Sequence, residues 1–459
     1  MDQSYMKEKP LLPLVLKMSL PMVDSMLIGA LYNIVDSFFV AQVSEDAMTA
    51  VSLVFPLQNL ANAAGIGFGV GINAAVSYFL GAGRQRSADR AAGLGTLLSL
   101  VHGLILIAVC LAASGPFVRA FTQNPATVDY ALEYLRTVIL FTPAFTLGLA
   151  FEKILQAVGK MKTTMFCMAA GAVANIILDP LFIMGWGFIP AMGVFGAALA
   201  TGLGQVLSLI CYLAVFFRAG IPVRLRLKKS PEADGGLVRR LYFVGVPATL
   251  NLALPSFMIT ALNAILAAFS ETYVLILGVY YKLQTFIYFT VSGVVQGIRP
   301  LVGYNLGAGR PDRVRGIFRI TLIFSAGVMA VGTLLCLIIP EPLMGLFAET
   351  PETVSQGAEA LRIISAGFVV SALSVVVSGV FEGLGRGMPS LVISLLRYVA
   401  IIPIAWGMSA LFGAVGVWHS FWITELIAAL AAGLLFAAFF RRHLRGTALP
   451  PEERSGQKA

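Results

Sequence analysis

The sequence predicts an all-α protein that crosses a membrane many times, and three observations support this fold class. Of its 459 residues, 58% are hydrophobic and only 12% are charged, about half the charged share of an ordinary soluble protein. The mean hydropathy is +0.86. Long apolar stretches, separated by charged or Gly- and Pro-rich breaks, supply about twelve segments long enough to span a bilayer. This composition excludes a disordered chain, a coiled coil and a typical cytosolic enzyme.

The hydropathy pattern predicts one helix in each apolar stretch between two successive charged or Gly- and Pro-rich breaks. The twelve predicted helices cover residues 14–41, 50–80, 91–113, 130–152, 163–185, 194–217, 241–268, 273–300, 317–340, 359–381, 388–411 and 415–440. The polar start, MDQSYMKEKP, contains no apolar stretch followed by a cleavage site. We therefore expect the first helix to remain in the mature protein.

The positive charge of the chain collects in every second connection between these helices. The basic connections hold Arg84, Lys153, Lys160, the segment 218–240, Arg310 and Arg441. The alternate connections are mostly acidic and hold Glu45, Asp129, Glu271 and Glu341. By the positive-inside rule, the basic connections and both chain ends are cytoplasmic, which requires an even number of spans. The net charge of +9 thus reflects membrane topology and does not indicate binding to nucleic acid.

An internal duplication determines the predicted architecture. The segment GINAAVSYFLGAGR (71–84) recurs as GIRPLVGYNLGAGR (297–310), with nine of fourteen positions identical. The same offset of 226 residues relates Pro21 to Pro247 and many other positions. Six spans return the chain to its starting side, so the two halves keep one orientation and are related by a pseudo-two-fold axis along the membrane normal.

The duplication divides the chain into four parts. They are an N-terminal six-helix lobe (1–217), a basic cytoplasmic linker (218–240), a C-terminal six-helix lobe (241–440) and a cytoplasmic tail (441–459). The linker is polar and is interrupted by Pro and Gly. A parallel repeat of two six-helix units is typical of transporters.

Polar side chains enter the predicted membrane region of the N-terminal half. Asn33 and Asp36 are three residues apart, and Asn175 and Asp179 are four apart, so each pair shares a helix face. Thr201 lies at a similar depth. Such oxygens can bind Na⁺, or two close carboxylates can share a proton. The alternative is a hydrogen-bond network that only fixes helix packing.

The C-terminal half lacks this pattern. An offset of 226 residues relates Asp36 to Leu262 and Asp179 to Ala405. We therefore expect the N-terminal half alone to carry any ion coupling.

Three other polar residues of the C-terminal half are candidates for an accessory role. Lys282 falls near mid-membrane, where it can pair with a carboxylate or take part in proton movement. Gln284 is equivalent to Gln58. Glu382 lies beside Arg386, and we expect it to order that loop.

Five sequence segments resemble the MATE (multidrug and toxic compound extrusion) transporters. They are the two LGAGR segments, NIVDSFFV in the first helix, LQAVGKMK after the fourth and NIILDPLFI in the fifth. The resemblance covers essentially the whole chain and is closest to the bacterial DinF-like branch. It carries that branch's coupling residues over to Asp36, Asn175, Asp179 and Thr201. The acidic residue that NorM-like members have in the seventh helix has no counterpart here.

The resemblance implies a V-shaped pair of six-helix bundles in the bacterial cytoplasmic (inner) membrane. It further implies a monomer that exports lipophilic, often cationic compounds in exchange for Na⁺ or H⁺, with no cofactor or metal beyond a possible Na⁺ at Asp36, Asn175 and Asp179. The expected partners are small-molecule substrates and membrane lipid.

Three alternatives to an antiporter remain. A flippase for lipid-linked precursors of the same superfamily needs several cations in its cavity, and only Lys282 and Arg397 fall at mid-membrane. A membrane-embedded enzyme needs a cluster of catalytic or metal-binding side chains, and the predicted helices contain no such pattern. A passive channel is distinguished by its failure to transport against a gradient.

Overall fold

The computed structural model of the protein describes residues 3–187, 189–228, 236–348 and 350–443, and helices make up nearly all of these ranges. Residues 229–235 of the predicted linker and residues 444–459 of the predicted tail lie outside the described part of the chain.

The helices fall into two groups separated by the linker. Before it lie α1 (Tyr5–Glu8), α2 (Leu11–Ala41), α3 (Glu45–Gly81), α4 (Gln85–Phe121), α5 (Pro125–Ile139), α6 (Thr142–Ala157), α7 (Met161–Ile183) and α8 (Gly193–Arg218). After it lie α9 (Leu237–Ala267), α10 (Glu271–Gly307), α11 (Pro311–Ile338), α12 (Pro340–Gly345), α13 (Pro351–Ser365), α14 (Phe368–Gly383), α15 (Gly387–Tyr398) and α16 (Ile401–His443).

The described helices supply twelve membrane spans, as predicted. Nine helical segments are each long and apolar enough to cross a membrane, and the bent pairs α5/α6 and α13/α14 add one span each. The last of the nine segments, Gly387–Arg441, has 55 residues, and a straight helix of that length would measure about 80 Å. It breaks at Gly413, whose φ of 63° and ψ of −154° are not helical, so it contains two spans.

Two predicted helices, 130–152 and 359–381, are each broken in the structure. The axes of α5 and α6 differ by 46°, and those of α13 and α14 by 51°. The breaks lie at equivalent positions of the two halves. In the first, Pro143 cannot donate the backbone hydrogen bond that a continuous helix needs. In the second, Gly367 occupies the break, where the backbone has the least steric restraint.

Equivalent helices of the two halves carry the same caps. At the start of α3 and α10, the Oγ atoms of Ser44 and Ser270 accept backbone N–H groups. After the same two helices, Gly83 and Gly309 have φ of 70° and 66°, the left-handed conformation that favours glycine. The LGAGR segments are therefore helix C-caps. We call the end of the molecule that carries them the basic end, and the opposite end, with Ser44 and Ser270, the acidic end.

The lobes contact each other through glycines that the duplication repeats. Gly-x-x-x-Gly segments begin at Gly67 in α3 and at Gly293 in α10. A Cβ atom on Gly293 would lie 2.6 Å from Cα of Val23, and one on Gly67 would collide with the equivalent residue, Thr249. Small residues let helix backbones approach closely in a membrane. These contacts lie in the basic-end halves of the helices and place the apex of the V-shaped pair of bundles there.

The apolar core differs between the lobes at the positions of interest. Leu262 and Ala405 are both fully buried and pack in one cluster with Trp418. Their equivalents in the N-terminal lobe are Asp36 and Asp179, which are also buried. The same fold thus holds hydrocarbon in one lobe and carboxylates in the other.

Candidate functional site

A close crossing of α7 and α8 creates the candidate site. A Cβ atom on Gly171 would lie 2.5 Å from the carbonyl oxygen of Gly204, and one on Gly204 would lie 2.8 Å from the carbonyl oxygen of Gly171. The two helix backbones therefore touch. One turn further along α7, Asn175 faces Thr201 of α8.

The amide of Asn175 joins the two helices. Its Nδ2 donates to Oδ1 of Asp179 at 3.3 Å, the one-turn spacing predicted from the sequence. It also donates to Oγ1 of Thr201 at 3.4 Å. The side chains of Asn175, Asp179 and Thr201 are 2%, 0% and 5% exposed. Three of the four predicted coupling residues are thus directly connected and withdrawn from the surface.

Asp36 of α2 completes the cluster. It is buried, and it interacts electrostatically with Asp179. Tyr32, one turn before it, and Tyr134 of α5 both lie within electrostatic range of the two carboxylates. We call Asp36, Asn175, Asp179 and Thr201 the coupling cluster.

The coupling cluster contains buried oxygens that have no hydrogen-bond partner among the described residues. They are Oδ1 of Asp36, Oδ1 of Asn175 and Oδ2 of Asp179, and Oε1 of the neighbouring Gln205 shares this property. Among the described residues, neither carboxylate forms an ion pair with Lys, Arg or His. A buried carboxylate without a cationic partner is costly unless it takes up a proton or a metal cation. Oxygen ligands of this kind suit Na⁺ as well as H⁺.

A cavity of about 270 Å³, lined mostly by residues of the N-terminal lobe, adjoins the coupling cluster. Asn175 and Thr201 form part of its wall toward the acidic end, and Glu152 and Lys153 form part of its wall toward the basic end. Its apolar walls include Met22, Met26, Phe145, Leu149 and Met168. The volume lies just below the range usual for small-molecule sites.

Three accessory residues predicted from the sequence do not take part in the coupling cluster. Asn33 is exposed, and its Nδ2 donates to the backbone oxygen of Gly29 in its own helix, so it does not join Asp36. Lys282 is exposed as well; its Nζ lies 5.3 Å from the ring centroid of Phe347, and it forms no ion pair with any carboxylate of the described ranges. Gln284 is half-buried in α10, in the other lobe from the coupling cluster.

The prediction that Glu382 orders the loop at Arg386 is wrong, because Glu382 belongs to a buried network. Its Oε2 pairs with Nη2 of Arg299 at 2.5 Å. Its Oε1 accepts from Nδ2 of Asn251 at 3.0 Å and from Oγ of Ser390 at 3.1 Å. A carboxylate at this depth requires such partners, and the network joins four helices of the C-terminal lobe.

The pair Glu152 and Lys153 is a feature that the sequence interpretation missed. Lys153 was placed in a basic connection, but it is only 4% exposed and lies in α6. Its Nζ contacts Oε1 of Glu152 at 2.7 Å. The signal was present in the sequence, since Glu152 supplies an adjacent opposite charge and Gln156 follows one turn later.

The chain is similar to known transporters along its whole length. The family model described as MatE matches residues 21–181 and 247–406, one match in each lobe and in equivalent registers. The Multidrug export protein MepA of Staphylococcus aureus is 27% identical over 433 residues, which are 94% of this chain and 94% of MepA.

Solved structures show the same fold. A MATE structure in the bent conformation superposes with a TM-score of 0.90 at 23% identity, covering 98% of this chain and 99% of that chain. An outward-facing multidrug resistance MATE family transporter of the MOP superfamily superposes with a TM-score of 0.89 at 23% identity, covering 96% and 98%. Because the family model covers more than half of the sequence, the chain belongs to the MatE family of multi-pass membrane transporters.

Proposed function

We propose that the protein is a secondary active antiporter that exports lipophilic, often cationic compounds in exchange for Na⁺ or H⁺. The coupling ion binds at Asp36, Asn175, Asp179 and Thr201. The resemblance of the whole chain to MepA, a multidrug export protein, supports the substrate class.

The observation that carries this proposal is the set of unpartnered oxygens in the coupling cluster. Within the described ranges, Asp36, Asn175 and Asp179 each have one buried oxygen without a hydrogen-bond partner. Polar groups this deeply buried are normally hydrogen-bonded. Two buried carboxylates with no basic partner in the part of the chain that the structure describes attract a cation from outside. This need for a cation favours ion binding over a purely structural network.

Shared walls explain how ion and substrate influence each other. Asn175 and Thr201 belong both to the coupling cluster and to the cavity wall. An ion that draws these side chains toward Asp179 changes the shape of the cavity that receives the substrate. Each ligand then shifts the equilibrium of the other through its differential affinity for the two conformations.

The basic end faces the cytoplasm in this proposal. The glycine contacts between the lobes lie toward that end, which supports an outward-facing conformation with the acidic end toward the exterior. Opening the basic end and closing the acidic end would return the cavity to the cytoplasm or the inner leaflet, where it takes up the next substrate.

The cations at mid-membrane do not favour a lipid-linked precursor as the substrate. A pyrophosphate group needs several free cations in the cavity. In the described ranges, Lys153 pairs with Glu152, and Arg397 pairs with Glu425. Each of these two charges is already neutralised by a carboxylate. Lys282, the other cation predicted at mid-membrane, is exposed beside Phe347 and does not line the cavity described above.

Efflux from proteoliposomes tests the proposed function. Ethidium serves as the fluorescent lipophilic cation, and an inward Na⁺ gradient or an inward H⁺ gradient is imposed separately across the membrane. We expect ethidium to leave against its own gradient under at least one of the two ion gradients. Vesicles without protein are the control. A folded, inserted protein that moves ethidium only down its own gradient under both conditions contradicts antiport.

A further inference from the structure

The end of the cavity nearest the basic end holds a convergence of oxygens around one ammonium group. Nζ of Lys153 donates to Oε1 of Glu152 at 2.7 Å, to Oε1 of Gln156 at 3.2 Å and to Oε1 of Gln296 at 3.2 Å. An ammonium group has three N–H donors, and each one finds an acceptor here. We call these three acceptors the oxygen cage.

The oxygen cage is held in place by its own contacts. Nε2 of Gln156 donates to Oε1 of Glu152 at 2.7 Å and to the sulfur of Met22 at 3.2 Å. Nε2 of Gln296 lies 3.7 Å from the sulfur of Met26. These contacts turn both amides so that their carbonyl oxygens point to the same place. The arrangement depends on the protein around it and is not created by the lysine alone.

Lys153 reaches the oxygen cage along a constrained path. Residues 152 and 153 are neighbours in α6, so their side chains leave the helix in different directions and must curve to meet. The lysine stem packs on Gly69, where a Cβ atom would lie 2.8 Å from its Cγ. The carbonyl oxygen of Lys153 accepts from Nδ2 of Asn73 at 3.1 Å.

The oxygen cage also joins the two lobes. Glu152 and Gln156 belong to α6 of the N-terminal lobe, whereas Gln296 belongs to α10 of the C-terminal lobe. The hydrogen bond from Lys153 to Gln296 therefore crosses the lobe interface near the basic end. Opening of the basic end requires that this bond be broken.

The cavity presents the oxygen cage to an incoming molecule. Glu152, Lys153, Gln156 and Gln296 all line it, and most of its other walls are apolar. A molecule with an ammonium group and an apolar body matches this combination, since the ammonium group replaces that of Lys153 while the body contacts the methionine and aromatic side chains.

We propose that the oxygen cage is a receptor for the ammonium group of an organic amine, and that Lys153 occupies it as an internal competitor until the substrate displaces it. Displacement also removes the Lys153–Gln296 bond, so that the bond between the lobes at this point is then made by the bound ammonium group. This inference rests on the proposed export of cationic compounds and names the chemical group that is recognised.

Equilibrium binding of dansylcadaverine to the purified protein in detergent tests this proposal. The probe carries a primary ammonium group on a fluorescent apolar body. Its N-acetyl derivative, which keeps the apolar body but has no ammonium charge, is the control compound. We expect Lys153→Met to bind dansylcadaverine at least about tenfold more tightly than wild type, because the competitor is gone. With Lys153→Met already in place, the further change Glu152→Gln is expected to weaken binding of the probe at least about tenfold. Neither substitution is expected to change the affinity for the acetylated probe.

Lys162→Met is the matched control, because it removes an exposed lysine from the start of the next helix, and its affinity for dansylcadaverine should equal that of wild type. If Lys153→Met does not reach the membrane, Lys153→Gln takes its place with the same expected gain. An unchanged or weaker affinity after removal of the lysine, or an equal gain for both probes, overturns the proposal. No ion gradient is involved, so a failure of ion-driven efflux would not by itself affect this result.

Discussion

Asp36→Asn is expected to abolish ion-driven efflux while leaving the protein folded and inserted. Asn has nearly the same size as Asp, so the packing between α2 and α7 is preserved. The substitution removes the negative charge of one of the two carboxylates in the coupling cluster. The ion then loses a charge-assisted contact in a buried setting, where such contacts are strongest.

We expect the rate of efflux to fall by about 100-fold or more, equivalent to at least about 2.8 kcal/mol. The measurement is ethidium efflux from proteoliposomes under the ion gradient that drives the wild type. Asp129→Asn is the matched control, because Asp129 is exposed in α5 of the same lobe, and its rate should equal that of wild type. Wild-type transport by Asp36→Asn would remove Asp36 from the mechanism.

Arg397→Met is expected to be the most destabilising single change in the C-terminal lobe. Its Nη2 lies 2.6 Å from Oε1 of Glu425, and its Nε contacts both carboxylate oxygens at 3.0 Å. The side chains of the pair are 8% and 17% exposed. Removal of one partner leaves a buried charge without compensation, which costs about 3–5 kcal/mol.

Thermal unfolding of the purified protein in detergent measures this effect. Arg362→Met is the matched control, because Arg362 forms an ion pair of equal length, 2.6 Å, with Glu341 at the surface. Exposed pairs of this kind contribute little to stability, because water and salt screen the two charges. The double change Arg397→Met with Glu425→Met should recover most of the loss, since hydrocarbon replaces both charges. Equal unfolding temperatures for Arg397→Met and Arg362→Met would show that the buried pair does not stabilise the lobe.

The buried pair also helps to explain why the lobes differ. Arg397 is equivalent to Gly171, the residue that lets α7 and α8 touch beside the coupling cluster. Where the N-terminal lobe has a glycine and a cavity, the C-terminal lobe has a large side chain neutralised by Glu425. Together with buried Leu262 and Ala405, this pair makes the C-terminal lobe a packed core.

Local sequence patterns predict most of this fold because hydrophobicity is a local property. Each span is a stretch of apolar residues bounded by charges, and a gap-free repeat relates the halves. The breaks before Pro143 and at Gly367 were missed because hydropathy continues across them. Assignment to the DinF-like branch stays a prediction.

The coupling cluster and the oxygen cage differ in how far the sequence reveals them. Asn175 and Asp179 are one turn apart on one helix, so their contact follows from helix geometry. The oxygen cage depends on how Lys153 curves toward its neighbour Glu152 and on Gln296, which is 143 residues away. Side-chain direction and contact between lobes are tertiary properties. Lys153 directly follows the predicted helix 130–152, and the sequence analysis therefore assigned it to a basic connection.

The central claim is that substrate and ion cross the membrane in opposite directions, and that the ion binds at the cluster that contains Asp36 and Asp179. Its most direct test is to let ethidium flow down its own gradient out of proteoliposomes while internal Na⁺ and pH are recorded. We predict that outward ethidium flow drives one of these ions inward, against its gradient, and that Asp36→Asn eliminates this movement. If the wild-type protein lets ethidium flow out while neither Na⁺ nor H⁺ moves, the claim is contradicted.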